Sequence, residues 1–153
     1  MFSQTLEYAL RAMVWLAQHP GQSHTRQAIA AGTQVPVDYL AKVMRPLAAR
    51  GLVSASRGLR GGFWLAREPE HIRILDIVDA VEPIPRIRSC PLGLPSHGRE
   101  LCALHRRMDD AMAATEKNFR ATRLTDLMGG RGSRLKPLCD TAALRARGRI
   151  SRA

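Results

Sequence analysis

Residues 35–53 have the sequence VPVDYLAKVMRPLAARGLV, and residues 56–66 have the sequence SRGLRGGFWLA. In the first stretch the apolar residues recur at helical spacing, which predicts a helix opened by Val35-Pro36. The second stretch places two arginines among three glycines before an apolar run that is typical of a strand. Together the two stretches predict a helix followed by a β-hairpin with a slim cationic tip.

Two further helices are predicted before this stretch. Apolar residues at helical spacing indicate a first helix over residues 3–18, which ends at His19-Pro20-Gly21. We expect Thr25 to cap a second helix, Arg26 to Ala31, and Gly32 to end it in the left-handed conformation. In the third helix Pro46 removes a backbone hydrogen bond, so we expect a kink or an early end there.

The order of elements predicts the fold class. Strands are expected at residues 52–56 and 63–66, and the period of residues 74–81 indicates a fourth helix. Three helices followed by a hairpin are the order of a winged helix-turn-helix domain, here over residues 1–82. The chain is therefore expected to be mainly α with a small β-hairpin.

The second half of the chain predicts a loop, a long helix and a tail. Residues 83–98 are rich in proline and glycine and are expected to form an irregular loop. A near-heptad apolar stripe predicts a long helix in a dimerisation segment, residues 99–128, that pairs with a second copy of the chain. Residues 129–153 are expected to be a basic, partly disordered tail. The stripe consists of Leu101, Leu104, Met108, Met112, Thr115 and Phe119.

The net charge of +11 is concentrated at the two ends of the chain. Residues 1–67 carry eight basic and two acidic side chains, and residues 129–153 carry seven basic and one acidic. This pattern favours two contact zones for a polyanion such as double-stranded DNA, although an arginine-rich composition without a special purpose is the alternative.

Neither a membrane span nor a secreted disulfide framework is indicated. No run of about 18 apolar residues exists, no secretory signal is visible, and the chain has three cysteines, an odd number. We therefore expect a cytoplasmic protein without a membrane partner.

The third helix carries the candidate residues for reading DNA bases. A helix in the major groove contacts base edges with short or polar residues of its first turns, where Pro36, Asp38, Tyr39 and Lys42 lie. Arg45, further along the helix, is expected to meet the DNA backbone. Two alternatives stay open: Tyr39 packs against the first helix instead, and Asp38 merely stabilises the helix dipole.

The hairpin tip carries the second set of candidates. Arg57 and Arg60 are expected to enter the minor groove, where the electrostatic potential of DNA is most negative. Gly58, Gly61 and Gly62 would supply backbone freedom. The alternative is a plain hairpin with solvated arginines.

The two quoted stretches, together with ILDIVDAVE at residues 74–82, resemble the Rrf-type transcriptional regulators, the family of IscR and of the nitric-oxide-responsive repressor NsrR. The resemblance covers residues 2–128. It implies a homodimer on a palindromic operator, with the third helix in the major groove and Arg57 in the minor groove. It also implies a dimer helix over residues 99–123.

The same resemblance implies an iron–sulfur cluster in the Cys90–His105 region, of the 2Fe–2S rather than the 4Fe–4S type. Cys90 and Cys102 match the outer cysteines of the family pattern, but Ser96 stands at the middle position. The candidates for the missing ligands are His97, His105 and Glu7, the last one from the partner subunit.

Other interpretations of these residues stay open. Zinc suits two cysteines and two histidines equally well, and thiol redox sensing needs no metal. Cys102 is otherwise a small buried residue, and His105 and Glu7 are otherwise ordinary surface residues. Cys139, in the tail, is expected to be a free thiol.

The sequence favours a regulator over an enzyme. The loop carries neither a glycine motif for an oxyanion or a phosphate nor a C-x-x-C pair. A less favoured alternative is a basic nucleic-acid-binding protein without a regulatory role, for which 5% aromatic residues offer few stacking surfaces.

Overall fold

The computed structural model describes residues 2–58, 61–93, 95–97 and 100–129, without the side chain of His97. This part of the chain is mainly helical with one two-stranded antiparallel sheet, as predicted. None of its helices is long and apolar enough to cross a membrane. The helices are α1 (Gln4–Gln18), α2 (Arg26–Thr33), α3 (Val37–Ala49), α4 (Ile74–Val81) and α5 (Ala103–Ala121), the strands are β1 (Val53–Ser56) and β2 (Gly62–Leu65), and short 3₁₀ turns lie at Pro69–His71, Pro95–His97 and Leu124–Leu127.

The hydrophobic core lies where α1, α3 and α4 meet. The apolar stripe that predicts α3 is buried along its whole length, and its two leucines are fully inaccessible. Burial of each such side chain stabilises the fold by about 1.5–3 kcal/mol. This core fixes α3 in place and leaves its polar side exposed. The buried stripe of α3 comprises Leu40, Val43, Met44 and Leu47.

The second helix begins after its predicted cap, Thr25, and the first helix begins after a cap that was not predicted, Ser3. The side chain of Ser3 accepts a hydrogen bond from the backbone N–H of Leu6, and that of Thr25 from the N–H of Ala28. Such a cap satisfies an N–H group that lacks a partner within the helix, and it contributes about 1 kcal/mol.

The predicted role of Gly32 is wrong. The second helix continues to Thr33, and Gln34 rather than Gly32 takes the left-handed conformation, with φ of 58°. Gly32 lies inside the helix against the indole of Trp15, where a Cβ atom would overlap the ring. A glycine is needed here so that α1 and α2 can approach closely, which spacing along the sequence does not reveal.

Of the kink or early end expected at Pro46, the early end is wrong, because α3 runs three residues further, to Ala49. A proline at this position deprives the carbonyl of Lys42 of its helical donor. The carbonyl of Pro46 itself accepts a hydrogen bond from the backbone N–H of Arg50.

The hairpin is joined to the helices by a third backbone segment. Val53 pairs with Leu65, and Ser56 pairs with Gly62. On the other edge of β2, the backbone of Phe63 exchanges two hydrogen bonds with that of His24, with N···O distances of 2.8 and 2.9 Å. The base of the hairpin is therefore held from both sides.

The fifth helix is shorter at both ends than the predicted helix 99–123, and the chain returns to the core after it. Cys102 is the extended N-cap of α5, and the helix ends at Ala121. Leu124 is fully buried, and its N–H donates to the carbonyl of Ile72 at 2.9 Å. Residues 130–153, including Cys139 and nearly all of the predicted tail, lie outside the described residues.

Candidate DNA-binding surface and thiol site

The polar side of α3 is exposed. Pro36, Asp38, Lys42 and Arg45 are all exposed, and Pro36 is the N-cap residue rather than part of the helix. Its carbonyl accepts hydrogen bonds from the N–H groups of the third and fourth residues after it. Asp38 lies in the first turn, so contact with DNA and stabilisation of the helix dipole both remain open for it.

Tyr39 packs against α1, as the alternative in the sequence analysis stated. Its hydroxyl lies 3.1 Å from the hydroxyl of Thr5, and its ring meets that of Tyr8 edge-on at 5.3 Å. The ammonium group of Lys42 lies 5.2 Å from the centre of the Tyr39 ring, on its exposed side. Tyr39 is therefore placed to orient Lys42, and its own hydroxyl already has a partner.

The hairpin tip presents Arg57 to solvent. Arg57 is exposed, and Gly58 after it has φ of 104°, a conformation that favours glycine. The N–H of Gly61 donates to the carbonyl of Gly58 at 2.9 Å, and a Cβ atom on Gly61 would lie 2.5 Å from the carbonyl oxygen of Ser56. Gly61 thus allows a close backbone approach rather than a positive φ. Arg60 lies outside the described residues.

The thiol site begins at the N-terminus of α5. The sulfur of Cys102 lies 3.3 Å from Nδ1 of His105, one helical turn further on, and both residues are half-buried. Cys90 is also half-buried, in the loop that precedes α5. The structure therefore brings two of the predicted ligands into direct contact.

The remaining predicted ligands do not complete a metal site in a single chain. Glu7 is exposed and forms an ion pair with Arg11 of its own helix. Ser96 is exposed, and the side chain of His97 is not among those described. Within the described residues, no three His, Cys, Asp or Glu side chains gather as metal ligands would.

Thiolate and imidazole are suitable donors for an iron–sulfur cluster, but such a cluster requires four protein ligands. Cys102 and His105 account for two. The donor chemistry therefore agrees with a cluster, while the ligand set of one described chain does not fit a complete one.

An ion-pair cluster that the sequence did not predict joins the loop before α5 to this helix. Arg86 donates from Nε and from one terminal nitrogen to the two carboxylate oxygens of Asp109, both at 2.7 Å, and from its other terminal nitrogen to Glu116 at 3.2 Å. The backbone N–H of Ile87 donates to the same Asp109 carboxylate at 2.9 Å. We call this group of residues the Arg86 clamp. In the sequence the clamp appears only as two acidic residues seven positions apart on one helix face. This spacing alone does not identify the arginine that pairs with them.

The clamp changes the ionisation of its members. The hydrogen bonds of Arg86 lower the pKa of Asp109 to about 2. The same guanidinium, with a smaller contribution from Arg120, lowers the pKa of Glu116. In return the carboxylates, Asp109 first, raise the pKa of Arg86. All three groups therefore stay charged at neutral pH.

Comparison with known proteins identifies the family. Residues 2–130 match the model of the Rrf2 family, described as iron-dependent transcriptional regulators. A protein of Aquifex aeolicus described as an HTH-type transcriptional regulator is 32% identical over 142 residues, which cover 90% of this chain and 98% of the relative. The regulator NsrR of Geobacillus kaustophilus is 29% identical over 133 residues, or 83% of this chain and 88% of the relative.

Solved structures agree with this assignment. The global cysteine regulator CymR of B. subtilis has a TM-score of 0.68 at 27% identity, over 84% of this chain and 95% of CymR. IscR of T. potens has the same TM-score at 26% identity, over 84% of this chain and 85% of IscR. The family and these relatives are regulators rather than enzymes. The chain therefore belongs to the Rrf2 family of DNA-binding, winged helix-turn-helix transcriptional regulators.

Proposed function

We propose that the protein is a sequence-specific transcriptional regulator that binds a palindromic operator as a homodimer. In this proposal α3 lies in the major groove with Lys42 and Arg45 toward the DNA, and Arg57 enters the adjacent minor groove. The observation that carries the proposal is the family match over residues 2–130. The exposure of all three basic side chains supports it, because a side chain that contacts DNA must be accessible from solvent.

The dimer face of this proposal is the apolar side of α5. Leu104 and Met108 are 66% and 44% exposed, and no residue of α5 is buried. A groove of about 510 Å³ beside them is lined by Phe2, Ile84 and Met112, among others. A second copy would cover this surface. We expect Met108→Asp to yield a monomer in light scattering, while Asp110→Asn on the same helix leaves the mass unchanged.

Operator binding tests the regulator function directly. Duplexes bound from a random library are sequenced, and the affinity for the recovered operator is measured in the wild type and in Arg57→Ala. Loss of a groove contact costs roughly 1–3 kcal/mol, a 5- to 150-fold loss of affinity for each half-site. Arg106→Ala is the matched control, because Arg106 is equally exposed but lies on α5.

Two results would contradict this part of the proposal. Recovery of no common sequence from the library would exclude sequence-specific binding. Equal affinity in Arg57→Ala and Arg106→Ala would remove the hairpin tip from the DNA interface. The unchanged helical circular dichroism expected for both variants separates loss of contact from loss of fold.

We further propose that the Cys90–His105 region senses the regulatory signal. The first candidate is an iron–sulfur cluster, [2Fe–2S] rather than [4Fe–4S], held by Cys90, Cys102 and His105 with Glu7 or His97 as the fourth ligand. The description of the family as iron-dependent supports this candidate. When bound, such a cluster would supply one-electron redox chemistry and reactivity toward small oxidants.

A second candidate is thiol sensing without a cluster. The direct contact between Cys102 and His105, without a third ligand among the described residues, favours it. Among the similar structures, CymR of Staphylococcus aureus has been solved in an oxidised form. Here Cys102 would be the reacting thiol, and its imidazole neighbour would hold it in place.

Absorption spectra and iron and sulfide analysis of anaerobically isolated protein distinguish the two candidates. A brown protein with equal iron and sulfide, whose colour is lost in Cys90→Ala, supports the cluster. A colourless protein without iron, whose operator affinity changes on oxidation unless Cys102 is replaced by serine, supports thiol sensing. Stoichiometric zinc in a colourless protein would point to a third type of site, the zinc centre.

A further inference from the structure

The Arg86 clamp joins the segment that leads to Cys90 to the helix that follows Cys102. Residues 83–89 follow α4, and among the described residues they make no backbone–backbone hydrogen bond. The segment is held instead by side chains of α5, because Asp109 binds both the guanidinium of Arg86 and the N–H of Ile87. Ile84 packs against the core at the start of the segment, and Asp109 holds the part that leads to Cys90.

The geometry of the clamp is more specific than that of a surface ion pair. Two parallel hydrogen bonds from a guanidinium to one carboxylate fix both the distance and the orientation of the two groups. Glu116 lies seven residues after Asp109, so Arg86 spans two turns of α5, about 10 Å. The Asp109 side chain is 16% exposed, and that of Glu116 is 24% exposed, so competition from water is reduced.

The clamp lies on the side of α5 that carries the thiol site. Cys102, His105, Asp109 and Glu116 follow one another at intervals of 3, 4 and 7 residues, which place them in one row along a helix. Cys90 lies three residues beyond Ile87, a reach of about 10 Å. From Asp109 back to Cys102 the helix covers a similar length, about 10 Å. A segment that is anchored at Asp109 can therefore bring Cys90 level with Cys102.

We propose that Arg86 and Asp109 are positioning residues that hold the Cys90 segment within reach of the Cys102–His105 pair. This inference deepens the proposed sensing role of the Cys90–His105 region and rests on it for its biological meaning. The clamp sets the local concentration of the Cys90 thiol at Cys102, whatever chemistry then joins or bridges the two. Ile84 anchors the start of the segment on the hydrophobic core, whereas the clamp anchors Arg86 and Ile87, which lie closer to Cys90.

Formation of the Cys90–Cys102 disulfide in a glutathione buffer measures this local concentration. Each thiol loses one proton and one electron as the sulfur–sulfur bond forms, and one glutathione disulfide is reduced to two glutathione molecules. The full-length chain is used without metal and with Cys139→Ser, so that only two cysteines react. The oxidised fraction at each buffer ratio gives the effective concentration.

Asp109→Asn is expected to lower the effective concentration roughly fivefold or more, because the charged fork is lost. Arg86→Lys is expected to fall between the wild type and Asp109→Asn, because lysine keeps the charge but cannot form both hydrogen bonds. Asp110→Asn is the matched control, since Asp110 is the exposed neighbour of Asp109 and makes the same change in charge. Circular dichroism of each variant confirms that α5 is retained.

The proposal is overturned if Asp109→Asn and Asp110→Asn give equal effective concentrations, or if the wild type forms no intramolecular disulfide. Operator affinity of the same reduced samples is measured in parallel. If the reduced wild type does not bind the operator, the proposed regulator function is contradicted, but the proposal for the clamp is not. Normal DNA binding with no effect of Asp109→Asn on the disulfide would contradict the clamp alone.

Discussion

Replacement of Lys42 tests the proposed contact between α3 and DNA quantitatively. The side chain of Lys42 is exposed on α3, and its ammonium group lies over the ring of Tyr39, which is itself held by Thr5. The contact with the Tyr39 ring thus restricts the orientation of the Lys42 ammonium group. We expect Lys42→Ala to remove one phosphate contact from each subunit of the dimer.

The salt dependence of binding follows from this count. Each phosphate contact contributes about 0.9 to the slope of log K against log salt concentration, so two lost contacts reduce the slope by about 1.8. A fourfold rise in salt, from about 50 to 200 mM, then narrows the difference in affinity between the wild type and the variant by roughly tenfold. The fold itself is expected to lose only the cation–π contact, about 0.5–1 kcal/mol.

The assay is fluorescence anisotropy of a labelled operator at five or six salt concentrations. Lys117→Ala is the control, because Lys117 is an exposed lysine of α5 and its removal makes the same change in net charge. Equal slopes for Lys42→Ala and Lys117→Ala would refute the phosphate contact. A changed affinity with an unchanged slope would instead assign Lys42 to a base edge.

Three further predictions concern the fold. Gly32→Ala is expected to lower the free energy of unfolding in urea by about 1–3 kcal/mol, because the new Cβ overlaps the Trp15 ring; Ala31→Gly, at an exposed neighbour, should cost only about 1 kcal/mol. Leu124→Ala should cost about 2–5 kcal/mol in the same assay, since Leu124 is fully buried; a loss below about 1 kcal/mol would contradict its place in the core. The pKa of Asp109 is lowered to about 2, so its stabilising effect is complete above the ordinary aspartate pKa of about 3.9 and is lost as the pH falls through 2. The difference in stability between the wild type and Asp109→Asn should therefore be constant from pH 7 to 5 and vanish near pH 2, and a difference that already disappears at pH 5 would be inconsistent with this pKa.

The sequence predicts the elements whose signals are local. Apolar spacing locates α1, α3 and α4, and Thr25 marks the start of α2 because a cap acts within three residues of itself. The hairpin follows from its glycines and its apolar run. In each case the residues that make the structure are neighbours in the chain, so a pattern in the sequence is sufficient.

The features that were wrong or missed depend on contacts between distant residues. The need for a glycine at position 32 comes from Trp15, seventeen positions earlier. The position of Leu124 in the core is fixed by its hydrogen bond to Ile72, more than fifty positions away. The Arg86 clamp joins residues 23 and 30 positions apart. In the thiol site, the sequence named Cys102 and His105 as candidate ligands, but their direct contact and the location of any further ligand had to come from the structure.

In the proposed regulator, the two faces of α5 would separate the contact with the partner copy from the thiol site. Leu104 and Met108 lie on its exposed apolar side, while His105 and Asp109 each follow one residue later, about 100° around the helix axis. A change at the thiol side therefore acts on the same rigid helix that the proposed partner copy contacts. At its far end the chain re-enters the core through Leu124, so α5 is fixed to the winged domain. In the proposed dimer, a small rotation of α5 would change the spacing of the two α3 helices, and with it the fit to two successive major grooves.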